Sequence, residues 1–261
     1  PSVRPPEQGV RNLPRPGHLD ISGATFAYAG AQEAVLRDVS LIARPGETTA
    51  VIGSTGSGKS TLLGLVTRQY DVVAGQVEVG GVEVADLSTA ALAQSVGFVP
   101  QTPFLFAGTV RSNLQFGGAD VSDDDLWRAL DIAQASDFVS ELDGGLDAAV
   151  TAGGRNLSGG QRQRLAIARV LVRPRDIYLF DDSFSALDHR TEARLWEALT
   201  EVVGHAAIVI VAQRISAVRN ADRIVVLDGG RVVGSGRHEE LMVNTPVYQQ
   251  IAGSQLIEES A

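Results

Sequence analysis

The segment Gly53-Ser54-Thr55-Gly56-Ser57-Gly58-Lys59-Ser60 is the most informative part of this sequence. It follows an apolar segment, Thr48–Ile52, and leads into a helical pattern that runs to about residue 69. A strand that enters a glycine-rich loop and then a helix is typical of a parallel α/β core. Glycines let successive backbone N–H groups curl around an anion, and the helix N-terminus adds a positive dipole end. The stretch therefore predicts a phosphate-binding loop.

The side chains of this loop predict the kind of phosphate. Lys59 can reach the terminal phosphates of a nucleoside triphosphate as a point charge, and the Ser60 hydroxyl can coordinate Mg²⁺. Lys59 is also the single lysine among 22 cationic residues. Genomic base composition explains the preference for arginine elsewhere, whereas the surviving lysine indicates chemistry that arginine cannot supply. The other nucleotide-binding candidates are Ser54, Thr55, Gly56, Ser57, Gly58 and Thr61.

A second apolar segment, 177–180, ends in two carboxylates, Asp181 and Asp182. In an open parallel sheet, ligands collect at the carboxyl ends of the strands. Asp181 is therefore predicted to hold Mg²⁺ through water, and Asp182 to orient or deprotonate the water that attacks the γ-phosphate. The alternative is that Asp182 or Ser183 only caps the next turn.

Composition bounds the classes of protein. The chain has 261 residues, 44% of them apolar, a net charge of −9 and no cysteine. The apolar fraction excludes a disordered chain. The absence of cysteine excludes disulfides, thiolate zinc sites and thiol nucleophiles. The acidic charge argues against a nucleic-acid partner. With no apolar run near the ~20 residues of a membrane helix and no signal peptide, we expect a soluble α/β chain.

The pattern along the chain predicts one module with an inserted helical part. Residues 1–17 are proline-rich and are predicted to be the remnant of a linker. We assign 18–101 and 174–250 to the core and a β-subdomain, 102–173 to a helical subdomain, and 251–261 to a tail. The predicted strands are 19–21, 25–28, 35–42, 48–52, 177–180 and 207–212, with hairpins at 76–79/82–84 and 223–227/231–233; the predicted helices are 58–69, 123–135 and 161–171.

The segment Leu157-Ser158-Gly159-Gly160-Gln161 resembles the signature of ATP-binding-cassette (ABC) proteins. The resemblance covers about residues 18–250 and implies a RecA-like P-loop NTPase core with an antiparallel β-subdomain and an α-helical subdomain. It implies that Tyr28 stacks on adenine and that Gln101 reaches Mg²⁺ and the attacking water. It also implies that Ser185–Asp188 is the D-loop. Ser158, Gly159, Gly160 and Gln161 would then contact the ATP held by a second cassette domain.

Within the family, three segments are most similar to the exporter type: 104–106, Thr109-Val110 with Asn113, and 236–241. In exporters the nucleotide-binding domain follows a transmembrane domain on the same polypeptide. The resemblance thus implies a domain at the cytoplasmic face of the cell membrane. Two such domains pack head to tail around ATP, and hydrolysis releases them.

Three positions depart from the family pattern. Asp182 stands where a Glu is usual, Gln213 where a His is usual, and Ala152 where exporters carry an acidic residue. Asp is one methylene shorter than Glu, and Gln cannot carry charge. The residues that would bind ATP match the family, whereas the two side chains that would handle the attacking water and the γ-phosphate, Asp182 and Gln213, are less suited to hydrolysis. The resemblance therefore implies the degenerate half of a heterodimeric exporter, whose partner chain carries a catalytic Glu and His.

Three alternatives stay open at this point. Asp182 and Gln213 could still serve, which would make the chain part of a fully active homodimeric exporter. The chain could be a soluble ABC ATPase that acts on DNA or ribosomes, although its acidic charge argues against this. It could also be a regulatory module that binds ATP without turnover.

Overall fold

A computed structural model describes residues 3–4, 6–116, 121–202 and 204–258 of the chain. The structure divides into two units. The first comprises Pro1–Phe98, Arg175–Asp182 and His205–Ala261, and the second comprises Val99–Pro174 and Ser183–Gly204. The second unit contains the predicted helical subdomain, 102–173, with its bounds moved to Val99 and Pro174. It also includes Ser183–Gly204, which the sequence analysis assigned to the core and β-subdomain.

The secondary structure alternates between strands and helices along the chain. The strands are β1 (Leu19–Phe26), β2 (Leu36–Ala43), β3 (Thr48–Ile52), β4 (Ala74–Val79), β5 (Val82–Glu83), β6 (Val96–Val99), β7 (Gly108–Thr109), β8 (Ala149–Val150), β9 (Ile177–Asp181), β10 (Ala207–Ala212), β11 (Arg223–Asp228) and β12 (Arg231–Gly236). The α-helices are α1 (Lys59–Val66), α2 (Thr89–Ser95), α3 (Val110–Leu114), α4 (Asp123–Ile132), α5 (Ser136–Glu141), α6 (Gly159–Leu171), α7 (His189–Val202), α8 (His238–Asn244) and α9 (Pro246–Glu258).

The largest sheet of the first unit has the order β12-β11-β3-β10-β9-β6. β10 runs parallel to both β3 and β9, and β11 runs parallel to β3. Every residue of β9 and β10 is buried, which explains why these strands are continuous apolar runs rather than alternating ones. The predicted parallel α/β core is confirmed, and the carboxyl ends of β3, β9 and β10 meet at one edge of the sheet.

An antiparallel sheet with the order β2-β1-β4-β5 forms the rest of the β-structure in this unit. Its strands alternate, and their buried faces join the sheet above in one apolar core that includes Leu19, Phe26, Leu36 and Val77. The predicted hairpin is confirmed: Val79 pairs with Val82 across Gly80 and Gly81, which both have positive φ. The two predicted pieces 19–21 and 25–28 are one strand, β1, that ends at Phe26.

The N-terminal segment lies along this antiparallel sheet. The N–H of Val10 donates to the carbonyl of Asp86 (2.8 Å), and the N–H of Ser88 donates back to the carbonyl of Val10 (2.9 Å). Farther on, the N–H of Arg15 donates to the carbonyl of Gly80 at 2.9 Å. The described part of the predicted linker is therefore hydrogen-bonded to the β-subdomain.

Two helices end earlier in the structure than the sequence analysis predicted. α1 stops at Val66 rather than at residue 69, because Arg68 takes a left-handed conformation (φ 53°). α4 stops at Ile132 rather than at residue 135, because Gln134 does the same (φ 55°). A left-handed residue cannot continue a right-handed helix. Each helix therefore ends within two residues of this break in the backbone.

The second unit is mainly helical, as predicted for its larger part. α4 begins after Ser122, whose side chain accepts a hydrogen bond from the N–H of Asp125 and caps the helix. Leu126 and Leu130 of α4 are buried together with Leu165 and Ile167 of α6. In the stretch 183–204, Phe184 packs against Trp196 with ring centroids 4.9 Å apart. This contact packs the segment that follows Asp182 against the middle of α7.

At the C-terminus, the predicted boundary between residues 250 and 251 falls inside α9. Tyr248 is fully buried, and its hydroxyl lies 2.8 Å from Nδ1 of His238 on α8. The described part of the predicted tail is thus one continuous helix with the buried Tyr248.

Candidate functional site

The glycine-rich loop closes around its own lysine. The loop connects β3 to α1, and Gly58 at the helix N-cap has a φ of 100°, a conformation that favours glycine. Lys59 is only 7% exposed, and its Nζ donates to the carbonyls of Gly53 (2.7 Å) and Ser54 (2.9 Å). Burial lowers the pKa of Lys59, and the charges of Asp182 and Asp181 partly offset this effect. The loop thus encloses the ammonium group of Lys59 with its own main-chain carbonyls.

The predicted metal-binding pair comes together at the sheet edge. Ser60 Oγ donates to Asp181 Oδ1 at 3.0 Å. Asp181 is 6% exposed, and burial raises its pKa; the Ser60 hydrogen bond and the charge of Lys59 act in the opposite direction. A hydroxyl and a buried carboxylate side by side are hard oxygen ligands of the type that Mg²⁺ takes, so these residues fit the predicted metal.

Two of the three residues that depart from the family pattern, Asp182 and Gln213, contact each other. Gln213 Nε2 donates to Asp182 Oδ2 at 3.1 Å. The N–H of Asp182 donates to the carbonyl of Val211 on β10 at 2.8 Å, and its φ is 45°. Asp tolerates this left-handed region better than most residues. The structure therefore fixes the Asp182 main chain beside β10 and engages one carboxylate oxygen with the amide of the neighbouring loop.

Tyr28, the expected adenine-stacking residue, lies just beyond β1 and is 40% exposed. Its hydroxyl is 2.9 Å from Oγ1 of Thr61 on α1. The Phe26 and Tyr70 rings meet it edge-on, with centroids 5.0 Å and 5.3 Å away. These contacts join the aromatic ring to the helix of the phosphate-binding loop.

The signature residues lie at the start of α6 in the second unit. Ser158 Oγ accepts from the N–H of Gln161 (3.2 Å), and the Gln161 side chain accepts from the N–H of Ser158 (2.8 Å), forming a capping box. The helix begins at Gly159 rather than at the predicted residue 161, because this box starts it earlier. The remaining N-terminal N–H groups and the helix dipole give this end of α6 a partial positive charge.

Two other sequence candidates also lie in the second unit. Asp188 of the predicted D-loop accepts from the N–H of Thr191 (3.0 Å) and from its hydroxyl (2.7 Å), which lowers the pKa of Asp188. Gln101 follows β6 and is exposed. Ala152 begins a short 3₁₀ turn, Ala152–Gly154.

Gln255 is a residue of this site that sequence reasoning missed. Its side chain, on α9, hydrogen-bonds the main chain at Gln213 and Ile215. About forty residues separate the partners, and no local pattern in the sequence signals such a contact.

Gly53 is predicted to tolerate no side chain. A Cβ there would lie 2.0 Å from the carbonyl oxygen of Leu227 and 2.8 Å from Ser57 Oγ. We expect Gly53→Ala to lower the free energy of unfolding by about 1–3 kcal/mol and to weaken ATP binding, because the loop must shift. Denaturant unfolding and ATP titration measure the two effects.

The matched control for that prediction is Gly253→Ala on α9. Among the described residues outside its own turn of helix, no atom lies within 4 Å of a Cβ built at Gly253. Alanine there should leave ATP affinity unchanged and stabilise the helix by up to about 1 kcal/mol. Equal stability losses in both variants would contradict the steric argument at Gly53.

Several known proteins of one family are similar to this chain. The family model described as "ABC transporter" matches residues 36–185. An uncharacterised ABC transporter ATP-binding protein of Mycobacterium tuberculosis is 49% identical over 253 residues, which are 96% of this chain and 42% of that protein. An ATP-dependent lipid A-core flippase of Vibrio vulnificus is 38% identical over 236 residues, which are 90% of this chain and 40% of that protein.

Among solved structures, a bacterial Atm1-family ABC exporter with ATP bound superposes with a TM-score of 0.92 at 32% identity, covering 97% of this chain and 45% of that one. The chain thus spans less than half the length of these relatives. None of the helices in the described residues is both long and apolar enough to cross a bilayer. The chain belongs to the ABC transporter family, and its fold is the P-loop nucleotide-binding fold of that family.

Proposed function

We propose that this chain is the nucleotide-binding domain of an ABC exporter, that it binds Mg-ATP, and that its own site hydrolyses ATP weakly. The observation that carries the proposal is the hydrogen bond from Gln213 Nε2 to Asp182 Oδ2. It joins two of the three residues that differ from the family pattern, while the phosphate loop keeps its buried lysine. The site is therefore built for binding and altered at the step after binding.

The chemistry of these two residues supports slow hydrolysis. A carboxylate on a side chain one methylene shorter ends about 1 Å farther from its target, and such a misplacement can cost roughly 10²-fold in rate. One oxygen of Asp182 already accepts a hydrogen bond from Gln213, which leaves less of the carboxylate to orient a water. A neutral amide also cannot exchange a proton or carry charge beside the γ-phosphate.

The parts that would hold Mg²⁺ and ATP remain complete. Ser60 and Asp181 would hold the metal, which neutralises charge on the β- and γ-phosphates when it is bound. Lys59 would contact the same phosphates, Tyr28 would stack on adenine, and Gln101 would reach toward the metal and the water.

A second nucleotide-binding domain would complete the functional assembly. The capped start of α6 offers Ser158, Gly159 and the helix dipole to an anion. We assign this anion to the γ-phosphate of ATP bound by a partner chain that carries the usual Glu and His. The signature of this chain would thus complete the ATP site of the partner, even though the chain's own site hydrolyses ATP slowly.

The membrane part of the proposal rests on the relatives. They are more than twice as long as this chain, and the Atm1-family structure is an exporter. We assign the remaining length of the whole protein to a transmembrane domain. The nucleotide-binding domain would then lie at the cytoplasmic face of the membrane.

The test of this proposal compares binding with turnover in the unaltered chain. We expect saturable Mg-ATP binding in an equilibrium titration, together with phosphate release that stays near background as protein concentration rises. The reason is that a homodimer would contain two sites with Asp182 and Gln213. Brisk release that increases with concentration would instead identify a fully active homodimeric exporter domain.

A further inference from the structure

Gln255 bridges two main-chain groups on either side of Arg214. Its Nε2 donates to the carbonyl oxygen of Gln213 at 2.7 Å, and its Oε1 accepts from the N–H of Ile215 at 2.8 Å. The orientation of the amide follows from its partners, because a carbonyl only accepts and an N–H only donates. We call this pair of hydrogen bonds the Gln255 clamp.

The Gln255 clamp contacts the segment that directly follows β10, before the next hydrogen-bonded turn begins. β10 ends at Ala212, and the turn that follows is closed by bonds from Val218 and Arg219 to the carbonyl of Ile215. Residues 213 and 214 lie between these two fixed points, and Gln213 is exposed. From α9, Gln255 supplies one hydrogen-bond partner to the main chain of Gln213 and another to the main chain of Ile215, on either side of residue 214.

The helix that carries Gln255 is itself firmly held. Tyr248 and Ala252 of α9 are buried, and Tyr248 is hydrogen-bonded to His238. Gln255 lies one turn after Ala252 on the same helix. The clamp therefore connects a packed helix to the loop, and the loop's Gln213 side chain in turn bonds Asp182.

We propose that Gln255 is a positioning residue that holds the main chain at 213–215 and thereby fixes Gln213 against Asp182. This inference rests on the proposed function of that site. An amide at 255 is required because it must donate to one main-chain group and accept from another. Apolar side chains do neither, and a carboxylate only accepts.

The first test is structural and needs no hydrolysis. In the unaltered background, Gln255→Leu is expected to shift the side-chain amide resonance of Gln213 and to accelerate hydrogen exchange at the Ile215 N–H about 10-fold or more, since the clamped state is lost. Gln255→Glu should keep Ile215 protected, because Glu retains an acceptor, and yet should shift Gln213. Unchanged Gln213 and Ile215 signals in Gln255→Leu would overturn the proposal.

The second test uses turnover in an activated background. The clamp contacts only the main chain of residue 213, so it should survive in the Asp182→Glu, Gln213→His variant. There we expect Gln255→Leu to lower kcat about 10-fold, with KM for ATP within about two-fold, because the reacting group is misplaced and the nucleotide is still bound. Faster exchange at Ile215 with unchanged kcat would reduce the clamp to a structural role and overturn the proposal.

The matched control is Gln249→Leu, on the same helix. Gln249 Nε2 donates to the carbonyls of Met242 (2.8 Å) and Val243 (3.2 Å), and both of these acceptors lie outside the 213–215 loop. It should leave kcat and Ile215 exchange unchanged. Equal losses in the two variants would mean that α9 acts through stability alone and would overturn the proposal.

The two tests also separate this proposal from the proposed function. If the Asp182→Glu, Gln213→His background shows no ATP hydrolysis, that result counts against the proposed function, while the resonance and exchange test still decides on the Gln255 clamp.

Discussion

ATP hydrolysis should increase by about 10²-fold when Asp182→Glu and Gln213→His are introduced together. Glu would extend the carboxylate by one methylene toward the attacking water. His would supply a group that can carry charge beside the γ-phosphate. Phosphate release at saturating Mg-ATP, measured over a range of protein concentrations, checks this expectation. The gain should increase as two chains come together, because each signature would then complete an active site.

The two substitutions should not contribute equally or additively. The side chains at 182 and 213 contact each other in the structure, and contacting residues are coupled. We expect Asp182→Glu to give most of the gain, since it restores the reach of the carboxylate. Gln213→His alone should give little, because Asp182 would still be too short.

Stability provides an internal check on the same variants. Residue 182 has a φ of 45°, and Glu is less comfortable there than Asp. A loss of about 1 kcal/mol in the free energy of unfolding is expected for Asp182→Glu. The gain in rate would therefore accompany a slightly lower melting temperature, which excludes better folding as its cause.

A surface pair serves as the matched control. Asp124 on α4 and Gln94 on α2 are exposed and lie away from the phosphate loop in sequence. Asp124→Glu with Gln94→His makes the same chemical changes and should leave phosphate release at the level of the unaltered chain. If the double variant at 182 and 213 stays as slow as the unaltered chain, Asp182 and Gln213 do not limit hydrolysis and the degenerate-site proposal fails.

The sequence predicted those parts of the site that depend on local pattern. β3 and β10 have the predicted bounds, because buried parallel strands are continuous apolar runs between polar loops. The pairing of Ser60 with Asp181 also followed, since Asp181 ends β9 and Ser60 lies in the first turn of α1, just after the loop at the carboxyl end of β3.

The parts that escaped prediction depend on contacts between distant segments or on single backbone angles. The hydrogen bond between Gln213 and Asp182 joins residues 31 positions apart, and the Gln255 clamp spans about forty. The early end of α1 depends on one left-handed residue, Arg68, of a type that is usually helical. Periodicity and composition do not predict these hydrogen bonds or this backbone angle, because contacts between distant segments determine them.

Removing the ammonium group of Lys59 should weaken ATP binding by about 10²-fold. Its Nζ already bonds two loop carbonyls, and on binding it would add charge-assisted bonds to phosphate oxygens. Loss of a hydrogen bond to a charged group costs about 1.5–3 kcal/mol, which corresponds to roughly 10–10²-fold in affinity, and the two carbonyls lose a partner as well. Lys59→Ala, titrated with Mg-ATP, measures the effect.

The control for charge is Arg44→Ala. Arg44 lies before β3 in sequence, is partly exposed and pairs only at the surface with Glu47 at 3.5 Å among its described ion pairs. This variant changes the net charge by the same amount and should bind ATP as the unaltered chain does. A comparable loss in both variants would point to the overall field of the domain rather than to the loop.

Lys59→Arg decides why the chain's single lysine stands in this loop. A guanidinium is planar and larger than an ammonium, and Nζ occupies a position only 2.7 Å from the carbonyl oxygen of Gly53. Arginine should therefore keep the charge but lose the fit, with ATP affinity close to that of Lys59→Ala. Affinity close to that of the unaltered chain would show that charge alone suffices there. In that case the geometry of the loop would not explain why residue 59 is a lysine. Base composition would still explain why the other cationic residues are arginines.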